Sequence, residues 1–215
     1  MLYSEPRLVP LGDAALLVEF ADSISDAAYA QVQAAHAALS RLPDVELVPA
    51  YASLLVCYPP EVSYRTIRRR VLAALSHTTA FSLPIRPLIT IPTRYGGADG
   101  LDLPAVAALH GISEAEVVRL HTASVYTVYM LGFAPGFAYL GSLPPQLDTP
   151  RLATPRLHVP AGSIGLAGRQ TGIYALSTPG GWQIIGRTAL PLWDASREPP
   201  ALLQPGDRVR FTNVE

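Results

Sequence analysis

The 215-residue chain contains no lysine, and all 16 of its basic residues are arginine. A Walker-type phosphate loop needs its lysine, and Schiff-base chemistry needs a side-chain amine, so both are excluded. Any anion site must instead be built from guanidinium groups or backbone N–H donors. Cysteine is nearly as scarce. Cys57 alone cannot close an internal disulfide, and its setting in S-L-L-V-C-Y is that of an inert thiol in an apolar strand. No window approaches 18 consecutive apolar residues, so no transmembrane helix is expected. The opening M-L-Y-S-E-P-R-L-V-P lacks a basic region followed by a long apolar run, so no signal peptide is expected either, and the cytoplasm is the expected compartment.

Charge and motif are lacking too. A formal charge of −1 excludes a nucleic-acid binder that works through bulk electrostatics. There is no H-E-x-x-H, C-x-x-C, G-x-S-x-G or G-x-G-x-x-G. The five histidines, at 36, 77, 110, 121 and 158, show no metal-ligand spacing, so no metal site is predicted. No catalytic residue can be named from motif alone.

The chain has plenty to bury: 49% of its residues are hydrophobic and only 15% are charged. Residues 14–20 read as a buried strand. Ser23 and Asp26 are spaced as a helix cap, and Ala28, Val32, Ala35 and Leu39 then recur at helical spacing over 26–40. Two strand-like runs follow at 45–49 and 53–58. Ser63 is placed to cap a second helix with Tyr64, Ile67, Val71 and Leu75 on its apolar face, and Arg68-Arg69-Arg70 lies mostly off that stripe. One sheet covered by two helices is the economical arrangement, so residues 1–82 are expected to form an N-terminal domain. His77 to Pro84 marks its boundary, and residues 83–215 form a second domain.

The second half opens with a strand at 87–92 and a turn at Tyr95-Gly96-Gly97. Asp102 is placed to cap a helix over 103–110 that Gly111 ends, and Ser113 with Glu116 caps another over 114–121. His121 stands where a cation would favour the helix dipole, or where a functional histidine would sit. Short strands and turns then alternate from 124 onward, which predicts a closed or nearly closed β-barrel. The overall class is α+β.

Val128 to Thr188 is the densest part of the chain. It holds ten of the 16 glycines and seven prolines, interleaved with Tyr129, Phe133, Phe137, Tyr139, Tyr174 and Trp182. Such a segment is too apolar for a linker. Either the corners of a small barrel need these glycines, or its turns also shape a site. Arg156, Ser163, Arg169, Gln170, Thr171, Tyr174 and Arg187 supply its polar groups, and guanidinium groups match carboxylate or phosphate ligands.

Y-M-L-G-F-A-P-G-F-A-Y-L-G (129–141), V-P-A-G-S (159–163), G-R-Q-T-G-I-Y (168–174) and S-T-P-G-G-W-Q-I-I-G-R-T (177–188) closely resemble the KipI / allophanate hydrolase subunit 1 family, as do G-D-A-A-L-L-V-E-F (12–20), P-A-Y-A-S-L-L-V (49–56) and L-L-Q-P-G-D-R-V-R-F (202–211). The resemblance implies a small N-terminal α/β domain followed by a cyclophilin-like β-barrel. It implies membership of a bacterial ATP-dependent 5-oxoprolinase, in which a PxpB-like subunit acts with a KipA/PxpC-like subunit and a LamB/YcsF-like PxpA subunit to convert 5-oxoproline to glutamate with consumption of ATP. Alternatives carried by the same family are inhibition of a sensor histidine kinase and a role related to urea carboxylase or allophanate hydrolase. His121, Tyr129, Arg156, Ser163, Gln170, Thr171, Tyr174 and Arg187 become candidate substrate-binding residues. Phe133, Pro135, Phe137 and Trp182 become a candidate partner cleft. The chain departs from the family pattern after Y-G-G, where Ala98 replaces an acidic residue, at G-S-L (141–143) in place of G-G-L, and at A-L (189–190) in place of P-L.

Overall fold

The computed structural model describes residues 1–76 and 86–214. The chain divides into two compact units, Met1–Pro84 and Ile85–Glu215. The expected boundary at His77–Pro84 lies outside the described residues.

The first unit comprises β1 (Leu2–Pro10), β2 (Ala15–Ala21), α1 (Asp26–Leu39), β3 (Glu46–Pro49), β4 (Ser53–Cys57) and α2 (Tyr64–Leu75). Its four strands form an antiparallel sheet in the order β1-β2-β4-β3. Alternation sends Leu16, Val18, Phe20, Leu54 and Val56 inward, where they meet Val32, Ala35 and Leu39 of α1 and Ile67 and Val71 of α2. β1 is missing from the sequence-based expectation because Pro6 and Pro10 interrupt its pattern. Proline is tolerated there because β1 is an edge strand, and the ladder to β2 breaks register between Leu2 and Arg7, around Pro6. The cap of α1 is Ser25, whose hydroxyl accepts from Ala28 N–H at 3.1 Å, and not Ser23.

The second unit contains β5 (Leu88–Tyr95), α3 (Leu103–His110), α4 (Glu114–Ala123), β6 (Tyr126–Leu131), β7 (Ala138–Gly141), β8 (Arg156–Val159), β9 (Ser163–Ala167), β10 (Gln170–Ile173), β11 (Thr178–Gly180), β12 (Gln183–Arg187) and β13 (Arg208–Asn213). Seven of these strands close a barrel in the order β10-β7-β6-β13-β5-β12-β9, and β8 pairs with β11 as a separate ribbon. β5 and β13 run parallel, and Pro92 sits within their ladder opposite Thr212. On its other side β5 meets β12 only at Arg94 and Tyr95, so the missing Pro92 N–H breaks nothing there. The barrel interior is filled by Ile91, Tyr126, Val128, Leu140, Ile164, Leu166, Ile185 and Phe211, with Val106 of α3 and Val117 of α4 closing one side.

Candidate functional site

Two constellations gather around the glycine-rich strands, one aromatic and one polar. The aromatic one lies outside the barrel wall. Trp182, just before β12, packs on two glycines of neighbouring strands: a Cβ on Gly165 would stand 2.8 Å from Trp182 Cβ, and a Cβ on Gly172 would stand 2.8 Å from Trp182 Cζ3 and 3.1 Å from Phe137 Cζ. Real side chains do not tolerate that approach, so glycine is required for the indole and the phenyl ring to lie against the sheet. Phe137 is the hub. It meets Phe133 at 5.5 Å, Tyr139 at 4.7 Å, Tyr174 at 4.9 Å and Trp182 at 5.6 Å between ring centroids, each edge to face.

These rings line a recess of about 340 Å³, counting its open mouth, that Gly180, Gly181 and Arg151 complete. Arg151 holds its guanidinium 5.9 Å from the Trp182 ring centroid. Phe133 stands at the rim, 64% exposed, on backbone at φ 67°. An exposed aromatic in left-handed conformation costs conformational energy that packing at the rim must offset. Burial raises the phenol pKa of both Tyr139 and Tyr174; nearby Arg151 opposes the shift in each, and the Trp182 backbone hydrogen bond also does so for Tyr174.

The polar constellation is centred on Asp102. Its carboxylate accepts from both terminal nitrogens of Arg156, at 2.8 and 2.6 Å, and from Ile184 N–H at 2.6 Å. The capping role expected of this residue is therefore corrected: Asp102 occupies the N-cap position of α3 without a side-chain bond to the helix, because its oxygens are taken by β8 and β12. Asp99, next to Ala98, bonds Arg94 Nε at 2.8 Å and lies 4.0 Å from Arg187. Arg187 also donates through Nε to Ala161 O. Arg156, Arg187, Ser163, His158 and Asp99 line one recess, so three of the sequence-predicted residues meet there.

His121 and Thr171 belong elsewhere. Both are fully buried in the barrel. Thr171 donates to Gly165 O and therefore accepts from His121 Nε2–H at 2.9 Å; His121 Nδ1 in turn accepts from the Tyr95 hydroxyl at 2.7 Å. This chain of donors assigns the neutral Nε2–H tautomer. Burial pushes the imidazole pKa down to about 3, so the helix-dipole cation expected from sequence is corrected to a neutral core group. Gln170 alternates with Thr171 on β10 and so shares the outer face with Gly172, on which the aromatic rings pack, but it lines neither recess; its buried Nε2 has no hydrogen-bond partner among the described residues. Tyr129 is buried at the bulge of β6, its hydroxyl 3.4 Å from Ser142 Oγ. Pro135 is exposed in the loop that carries Phe133.

Sequence patterns do not mark Arg151, Asp99 and Asp102 as site residues. The aromatic spacing alone marks the recess, but Arg151 lies in a separate loop with nothing in D-T-P-R-L to tie it to Trp182. Among the described residues no group of three or more His, Cys, Asp or Glu could hold a metal ion, and no helix is long and apolar enough to cross a membrane.

The family model described as carboxyltransferase domain, subdomain C and D, matches residues 6–203. A protein of Escherichia coli O157:H7 named as a subunit of 5-oxoprolinase is 45% identical over 208 residues, covering 95% of this chain and 94% of that protein. The 5-oxoprolinase subunit of the same name in Bacillus subtilis (strain 168) is 40% identical over 222 residues, covering 97% of this chain and 92% of that protein. Among solved structures, TTHA0988 superposes with a TM-score of 0.79 at 40% identity over 94% of this chain; the match spans only 40% of that longer chain.

Proposed function

The chain belongs to the carboxyltransferase subdomain C and D family, and on that premise we propose that it is one subunit of an ATP-dependent 5-oxoprolinase. The observation that carries this assignment is the 45% identity to a protein named as a 5-oxoprolinase subunit, sustained over 95% of the chain and hence over both compact units. A KipA/PxpC-like subunit and a PxpA-like subunit complete the assembly. The assembly opens the lactam of 5-oxoproline to glutamate and consumes ATP.

The chemistry asks for an activated amide. Transfer of the γ-phosphoryl group from ATP to the lactam oxygen releases ADP and makes the carbonyl carbon a better electrophile. Water adds there, the ring C–N bond breaks with its nitrogen taking up a proton, and inorganic phosphate leaves to give glutamate. Neutralising the phosphoryl charge requires cations, and in a chain without lysine these are guanidinium groups. Arg156 is committed to Asp102, so its part is to brace the recess wall, while Arg187 is the more available cation there. Ser163 and the arginines place hydrogen-bond donors along one wall; the remaining groups come from the partner subunits.

Reconstitution tests this. The chain co-expressed with its two partner subunits is expected to co-purify with them and to hydrolyse ATP only when 5-oxoproline is present. Tight binding to a sensor-kinase dimerisation domain, without such activity, would overturn the assignment, as would a requirement for a biotin-bearing protein.

A further inference from the structure

We propose that the aromatic recess ringed by Phe133, Phe137, Tyr139, Tyr174 and Trp182 is a binding subsite for a small cyclic carboxylate, with Arg151 as the residue that receives the carboxylate. The class of ligand rests on the 5-oxoprolinase assignment above, which makes it a five-membered lactam acid; the site itself rests on geometry.

Three backbone and side-chain ties fasten the loop that carries Arg151. Thr149 N–H donates to Gly168 O at 3.2 Å, Gln183 Nε2 donates to Pro150 O at 3.3 Å, and Leu152 N–H donates to Gly181 O at 2.8 Å. The residue between these anchors is thus held at the mouth of the recess. Arg94, Arg156 and Arg187 each face Asp99 or Asp102, whereas no ion pair among the described residues takes Arg151. Its guanidinium instead lies over the Trp182 ring, where the ring face supports the cation and leaves its N–H fork for a planar acceptor.

The walls suit a flat ring. The recess combines aromatic ring faces with two phenol groups and one guanidinium, so it offers both a flat apolar contact and polar groups that can orient a small molecule. Gly180 lies against the Tyr174 hydroxyl closely enough that no side chain fits, which keeps that wall open. Phe133, at φ 67°, meets Phe137 and Tyr174 edge to face yet stays largely exposed, so the rim of the recess presents an aromatic ring to solvent. A lactam ring enclosed by these faces would put its α-carboxylate beside Arg151 and its amide toward the phenols.

The test is equilibrium binding of 5-oxoproline by calorimetry, to the full chain and to the reconstituted assembly, with Trp182 emission as a second readout. Wild type is expected to bind 5-oxoproline and to bind its neutral carboxamide analogue roughly 10- to 100-fold more weakly, the value of one charge-assisted contact. Arg151→Gln is expected to weaken the acid by the same factor and to abolish the preference over the amide, while Arg69→Gln on α2 leaves both unchanged. Retained binding of the amide with the preference for the acid lost is a readout that misfolding would not produce. No binding to wild type in either form, or an undiminished preference in Arg151→Gln, overturns the proposal. The two claims fail separately: ATP hydrolysis that depends on 5-oxoproline but ignores Arg151 sinks the subsite alone, and Arg151-dependent binding without that hydrolysis sinks the 5-oxoprolinase assignment alone.

Discussion

Asp102 and Arg156 form a bidentate pair across 54 residues of chain, and the same carboxylate caps the backbone N–H of Ile184. One buried acid thereby joins the start of α3 to β8 and to β12. The arginine side chain is 29% exposed against 9% for the acid, so solvent moderates the charge-charge part while the backbone bond is sheltered. Asp102→Asn keeps the shape but loses the charge, and Asp102→Ala loses both. The alanine variant is expected to destabilise the barrel unit by about 2–4 kcal/mol and the asparagine variant by less. Urea unfolding followed by tryptophan fluorescence reads this unit selectively, since Trp182 and Trp193, the chain's two tryptophans, both belong to it.

The neutral His121 makes barrel stability depend on pH. Its folded pKa, about 3, lies below the unfolded value near 6.5, so below that value the unfolded chain binds a proton that the folded chain refuses. The stability it contributes is whole above pH 6.5 and is lost progressively as pH falls toward 3. At pH 5 the expected loss from this group is about 2 kcal/mol relative to pH 8. His121→Gln is expected to be less stable at pH 8 yet to show a flatter slope between pH 8 and pH 5. An unchanged slope would contradict a His121 held neutral by burial.

Gly172→Ala is expected to displace the Trp182 ring, because the new methyl would meet Trp182 Cζ3 at 2.8 Å and the Ala138 carbonyl oxygen at 3.1 Å. Overpacking of this kind costs about 1–3 kcal/mol. Shifted tryptophan emission together with a lower urea midpoint checks it. Gly97→Ala meets nothing within 4 Å and is expected to leave the emission unchanged, any loss of stability there coming from its φ of +53°.

Much of the fold was legible because local signals were strong. The helical spacing of Ala28, Val32, Ala35 and Leu39 and the Ser113 cap with Glu116 both mark elements that exist, and the short strands after residue 124 do close a barrel. β1 and β7 were not legible. β1 carries two prolines that only its edge position tolerates, and β7 is four residues long among glycines. The glycine-rich segment raised a choice between tight corners and site shaping. Gly165 and Gly172 are in strands, not corners, and serve to seat Trp182 and Phe137. His121 and Thr171 looked like site residues because polarity in a barrel segment carries no label for inside or outside. Only the contacts reveal that they satisfy each other. Asp102 was hidden for a related reason: an aspartate before a helix is ordinarily its cap, and a partner 54 residues away leaves no mark in local sequence.

The most direct measurement of the central claim is glutamate release from 5-oxoproline by the purified partner subunits, with this chain present and with it omitted. The account predicts glutamate and ADP formation together only in the complete mixture, with neither formed by this chain alone. Equal rates with and without the chain, or ATP hydrolysis indifferent to 5-oxoproline, would contradict it.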